Sequence, residues 1–223
     1  MFDALRRLGS VDALARQAAR DIAAVHRRPV NLRRYQVTSA ESVVRGARSS
    51  ALIDAPDSAA AREFDRMGGY GLLAPGQVEA TARTWTRAPL QVIARLDVLC
   101  GGTGVPSAGV ADRLRGVGAL VVAGGDDALV SQVVHAEIAA RGMFGARSGQ
   151  VARVAARVAA VAGGLDPRGL AVPEPYLYRH RREYRRALAG YVASEEGVSA
   201  LLELLLRAWI DGAREAESIA ALL

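Results

Sequence analysis

Apolar residues spaced three and four apart recur along most of this 223-residue chain, and nothing else in it restricts the fold so strongly. Leu5, Leu8, Val11, Leu14, Ala18, Ile22 and Val25 form one such series, and Val198, Leu201, Leu202, Leu205, Leu206, Trp209 and Ile210 form another. That spacing gathers each series on one face of an α-helix. Residues 89–99 carry the same set. Aromatic residues make up only 5% of the chain while Ala, Val and Leu dominate, so the core is built from small aliphatic side chains that helices accommodate well. The expected fold is all-α, about nine helices with little or no β structure.

Punctuation residues set the boundaries. Gly9 and Ser10 divide the first run, with Ser10 as N-cap of its second part. Arg27-Arg28-Pro29 ends it, because the residue before proline disfavours the helical region. Residues 29–37 then read as an extended connector, making 1–37 an N-terminal helical extension and 38–223 the main helical domain. Residues 39–54 permit a helix capped by Ser39 or Ser42 and closed at Pro56. A glycine-rich bend at 67–71 separates a short helix from one beginning near Pro75, a residue suited to a first helical turn. Helices over 108–123 and 126–141 are divided at Gly124-Gly125-Asp126-Asp127, where the acidic pair is a good cap. Further helices cover 149–162 and 178–191. A competing reading makes 118–125 a buried strand near a dinucleotide loop at 101–106. Gly-x-Gly-x-x-Gly fails there, since Ser107 holds the last position and Pro106 stands where a helix should be running.

Every one of the 29 basic residues is arginine, and the formal charge is +6. Spread over a chain of this size, that excess reads as a solubilising surface, and nucleic acid is not the expected partner. The stretch best suited to nucleic acid, Tyr176 to Arg186, reads as a solvated helix face with Tyr184 and Leu188 turned inward. Cys100 is the only cysteine, which excludes a disulfide within the chain and a cysteine-based zinc site; it reads as a buried, inert thiol. No uninterrupted apolar run reaches eighteen residues, so a soluble, cytoplasmic protein without a membrane partner is expected. His135 reads as a core histidine, His26 and His180 as solvated, and Trp85 and Trp209 as core anchors. Glu137 and Arg141 are spaced for an i, i+4 ion pair.

One segment speaks to chemistry: His135-Ala-Glu-Ile-Ala-Ala-Arg-Gly-Met-Phe144-Gly-Ala-Arg-Ser-Gly149-Gln-Val-Ala-Arg153. It resembles the Fic (fido) family signature His-Pro-Phe-x-Asp/Glu-Gly-Asn-Gly-Arg-x-x-Arg, preceded by a His-Ala-Glu-Leu-like helix. Over roughly residues 40–215 it looks like a divergent, actinobacterial-type subgroup lacking the histidine. Ser49-Ser50-Ala-Leu-Ile-Asp54-Ala55 is similar to the family's Ser-x-x-x-Glu-Gly inhibitory helix. The resemblance implies a helical fold and a relation to enzymes that transfer AMP from ATP.

That chemistry requires a general base, a carboxylate to hold metal on the phosphates, a glycine turn and arginines. Aligned on Phe144, the base position is Gly142 and the metal carboxylate position is Ala146, so magnesium is not expected. Arg147, Ser148 and Gln150 stand for the first glycine, the asparagine and the first arginine. Phe144 remains as the apolar anchor, with Gly149 and Arg153. The resemblance therefore implies a non-AMPylating binding or regulatory module. Arg147, Ser148, Gly149, Gln150 and Arg153 are its candidate phosphate or nucleotide contacts, with ATP as the model ligand and Asp54–Arg153 as an inhibitory pair. A transferase using another base, and a basic nucleic-acid-binding protein, are the alternatives. A protein partner is expected, and the N-terminal helix offers a dimer or lid element.

Overall fold

The computed structural model describes residues 1–54 and 67–223. Twelve α-helices are assigned among them: α1 (Phe2–Arg6), α2 (Val11–His26), α3 (Pro29–Arg33), α4 (Tyr35–Asp54), α5 (Val78–Trp85), α6 (Pro89–Leu99), α7 (Ala111–Ala123), α8 (Asp127–Ala140), α9 (Ser148–Gly163), α10 (Glu174–Arg179), α11 (Arg181–Gly190) and α12 (Glu195–Ala221). Nine of them have seven or more residues, and the described residues contain no strand. The fold is all-α. Residues 118–125 lie largely within α7, which removes the strand reading.

The bundle is organised around α8 and α9, which pack along each other and are buried on nearly every side. This follows from their content: Val, Ala and Ile occupy most positions of both, so neither has a polar face to show to water. Asp126 caps α8, its carboxylate accepting from Leu129 N at 3.2 Å, and also binds Arg6 Nε at 2.6 Å, fastening α1 to the start of the central pair. Trp85 joins the core beside α5, α6 and α9, and Trp209 the core beneath α2.

The amphipathic α2 lays Val11, Ala15, Ala18, Ile22 and Val25, all essentially inaccessible, against α12. Ser10 N donates to Glu203 at 2.8 Å at one end of this contact, and Arg28 pairs with Glu217 at 2.6 Å at the other. Ser10 precedes α2, but its hydroxyl makes no capping bond.

Several local expectations are corrected. Residues 29–37 are not extended: Pro29 opens a helical turn and α4 begins at Tyr35, because proline at N1 is preorganised for helix. Ser39 and Ser42 are therefore buried inside α4 and are not caps. Residues 68–73 form a 3-10 helix, and the following helix starts at Val78, later than Pro75 suggests. The run 178–191 divides at His180 into α10 and α11. His26 is not solvated; its Nε2 lies 2.7 Å from buried Asp166, which also accepts from Leu170 N and Ala171 N and so ties α2 to the segment before α10. Pro56, Ala55 and the short helix expected before the glycine bend fall outside the described residues. No helix among the described residues is long and apolar enough to cross a membrane.

Candidate functional site

The motif occupies the connection from α8 into α9. Met143 and Phe144 are buried and anchor it in the core. Phe144 N donates to Ser148 Oγ at 2.8 Å, and that hydroxyl donates to Gly145 O at 2.7 Å, so the serine closes the turn into α9. Gly142 has φ +59°, in the left-handed region. A side chain there is disfavoured by roughly 1–2 kcal/mol, so the backbone at this position selects glycine. Ser107 reinforces this conformation: its N–H donates to Met143 O at 2.8 Å and its hydroxyl to Gly142 O at 3.3 Å. Ala146 is exposed and offers no ligand atom.

Arg147 turns away from α9. Its Nε donates at 2.7 Å to Asp97, a fully buried carboxylate that also accepts from Gly104 N at 2.9 Å. The glycine-rich loop 101–104 thus wraps a carboxylate of its own chain. Cys100, at the start of that loop, is only partly buried, and burial pushes its thiol pKa upward, which keeps it protonated and unreactive.

Arg153 is the centre of the arrangement. Its side chain is 1% exposed; Nε donates to Ser50 Oγ at 2.8 Å, Nη2 reaches Ser50 O at 3.4 Å, and the guanidinium pairs with Asp54. Burial works against the guanidinium charge, but Asp54, together with Tyr184 and Tyr70, outweighs it and holds the pKa above the ordinary arginine value. The Asp54 carboxylate lies over the first turn of α9: a Cβ built on Gly149 would be 3.2 Å from Asp54 Oδ1 and 3.0 Å from Arg153 Nη1. Asp54, Gly149 and Arg153 therefore converge, whereas Arg147 and Ser148 are directed elsewhere. Gln150 is aimed at the 3-10 segment, its Nε2 2.7 Å from a Cβ built on Gly68.

A second buried arginine, one turn further along α9, is absent from the motif. Arg157 Nη2 donates to Ser42 Oγ at 2.6 Å and to Gly169 O at 3.1 Å, and Nη1 stands 3.6 Å from Glu174. Tyr70 donates to the same glutamate at 2.9 Å. Ser42, Gly46, Ser50 and Asp54 are each four residues apart on α4, facing Arg153 and Arg157, four apart on α9. Together they make a polar seam between two helices. Those spacings are visible in the sequence, but which helix faces which is not.

His135 lies beside this seam as a core residue, its Nε2 2.7 Å from Tyr184 OH. Burial, and then the charge of Arg153, lower its pKa to about 3, so it is neutral and holds the tyrosine. No three His, Cys, Asp or Glu side chains gather as a metal-holding group among the described residues. Comparison of the chain with family models, curated proteins and solved structures finds no match.

Proposed function

We propose that the chain is a Fic-like protein with a degenerate, self-closed site, acting as a non-AMPylating binding or regulatory module. One observation carries this reading: the carboxylate of Asp54 rests on Arg153 above Gly149, where the N-terminus of α9 would otherwise receive a phosphate oxygen. Gly142 supplies no base, and its left-handed backbone opposes a histidine. The residues do not fit magnesium, because Ala146 lacks a ligand atom and Asp54 and Asp97 are paired with Arg153 and Arg147. The helices carry the site as a rigid surface whose phosphate cradle becomes accessible when Asp54 leaves.

Calorimetry with ATP, with and without magnesium, tests this on wild type and Asp54→Ala. Wild type is expected to show no binding at millimolar nucleotide, and Asp54→Ala weak binding that magnesium does not strengthen. Incubation with nucleotide labelled on the α-phosphate should leave both unmodified. Label transfer by the wild-type protein refutes the reading, as does an Asp54→Ala variant that stays folded and binds nothing.

A further inference from the structure

Away from the motif, a groove of about 790 Å³ runs between α7, α8 and α12 under the edge of α1. Its walls are Leu5, Val117, Leu120, Val198 and Leu202, and its long side follows α7 from Arg113 to Ala123, about 15 Å at the helical rise. One end is polar. There Arg113 grips Glu137 through Nε at 2.7 Å and Nη2 at 2.8 Å, and the same carboxylate accepts from Arg141 at 2.8 Å and Tyr191 OH at 2.9 Å. Arg113 lines the groove while Arg141 holds Glu137 from outside the lining, so two arginines surround one glutamate and this cluster is net positive. Asp112 on the rim is already paired with Arg115. Arg113 keeps 56% of its side chain exposed at the mouth.

Gly116 sits mid-helix in the groove wall, and a Cβ built on it meets no atom within 4 Å. Neither packing nor a positive φ calls for glycine here, and helix propensity argues against it. Its effect is to widen the groove. The size and the mix of apolar walls with a few converging polar groups match those of small-molecule sites. A sugar or nucleotide would leave most of its polar atoms unpaired against these walls, and a cationic amphiphile would meet the excess arginine.

We infer that this groove binds a single-chain amphiphile with a carboxylate head, of the medium-chain fatty acid class, its apolar chain lying along α7 and its head against Arg113. The test is calorimetry of the full chain with octanoate, decanoate and dodecanoate below their micelle concentrations, with dodecylamine and dodecanol as head-group controls. Dodecanoate should bind saturably, one per chain, and affinity should fall about fourfold for each methylene removed. Dodecylamine should bind at least tenfold more weakly. Gly116→Trp should abolish binding with helical content and Tm retained, and Gly116→Leu, the milder filling, should weaken it tenfold. Equal affinity for dodecylamine, or a folded Gly116→Trp with undiminished binding, overturns the inference. So does a chain that binds none of these and self-associates through the groove, with Gly116→Trp monomeric.

Discussion

Replacing Gly46 with alanine separates two opposed effects. Gly46 lies in the middle of α4, where alanine is favoured over glycine by about 0.5–1 kcal/mol. The seam reverses the sign. A Cβ at this place would stand 2.5 Å from Arg157 Nη1 and 3.0 Å from Glu174 Oε2. Both side chains are at most 1% exposed and have no solvent to retreat into, and Arg157 Nη2 is held by Ser42 Oγ and Gly169 O. Making room means giving up one or two charge-assisted hydrogen bonds, about 1.5–3 kcal/mol each. After the propensity gain is subtracted, Gly46→Ala should be destabilising by about 0.5–5.5 kcal/mol, which for a chain of this length lowers Tm by roughly 6–12 °C at the middle of that range. Gly116→Ala is the matched control, since its Cβ enters open space, and it should raise Tm by about 1–4 °C. Thermal and urea unfolding of the two variants beside wild type gives the answer. A Gly46→Ala variant as stable as Gly116→Ala would mean that the Arg157–Glu174 contact yields freely, and the seam would lose its structural role.

Ser50→Ala removes a buried acceptor from Arg153 and should destabilise by about 1.5–3 kcal/mol. Asp54→Ala should cost less, about 1–2 kcal/mol, because a carboxylate 38% exposed is screened by water and loses much of the roughly 3–5 kcal/mol of a fully buried pair; urea denaturation showing the opposite order would place the energy of the contact in the ion pair. Gly142→His should lower stability by about 1–2 kcal/mol and produce no transfer of labelled AMP from ATP to protein. For His135, a folded pKa of about 3 lies below the unfolded value near 6.5. Its stabilisation is therefore complete above about pH 6.5 and is lost as pH falls from there toward 3, at about 1.4 kcal/mol per unit. Glu137, whose carboxyl pKa is also depressed, acts with the same sign only below about pH 4.3. His135→Gln should accordingly flatten stability between pH 6 and 4.5, and an unchanged slope would show that His135 is not the group titrating.

Where side-chain chemistry is apolar and periodic, the helices are legible from the sequence: α2, α6, α7, α8 and α12 lie close to the runs of Leu, Val, Ile and Ala that announce them. Asp126 is legible as a cap for the same reason, being a local signal read locally. Polar residues inside helices are misread. Ser39 and Ser42 look like caps because serine competes with helical hydrogen bonding, yet both lie within α4, and Ser42 serves Arg157 from another element. The motif points to Asp54 and Arg153 but not to Arg157, Glu174 or Tyr70, since their meeting depends on which face α4 turns to α9. His26 is misjudged likewise: its arginine-rich neighbours suggest water, and its partner Asp166 is 140 residues away.

The contact of α2 with α12 bears on how the protein is made. About 170 residues separate the end of α2 from the start of α12, so at ordinary elongation rates the stripe Val11–Val25 waits on the order of ten seconds or more for the helix that covers it. During that interval a ribosome-bound chain displays an apolar ribbon that Leu129 and Val133 of α8 cover only in part. Aggregation and chaperone capture should therefore fall on the nascent chain, and a change at the far end of α12 that leaves the motif untouched can lower yield without altering the folded molecule's surface.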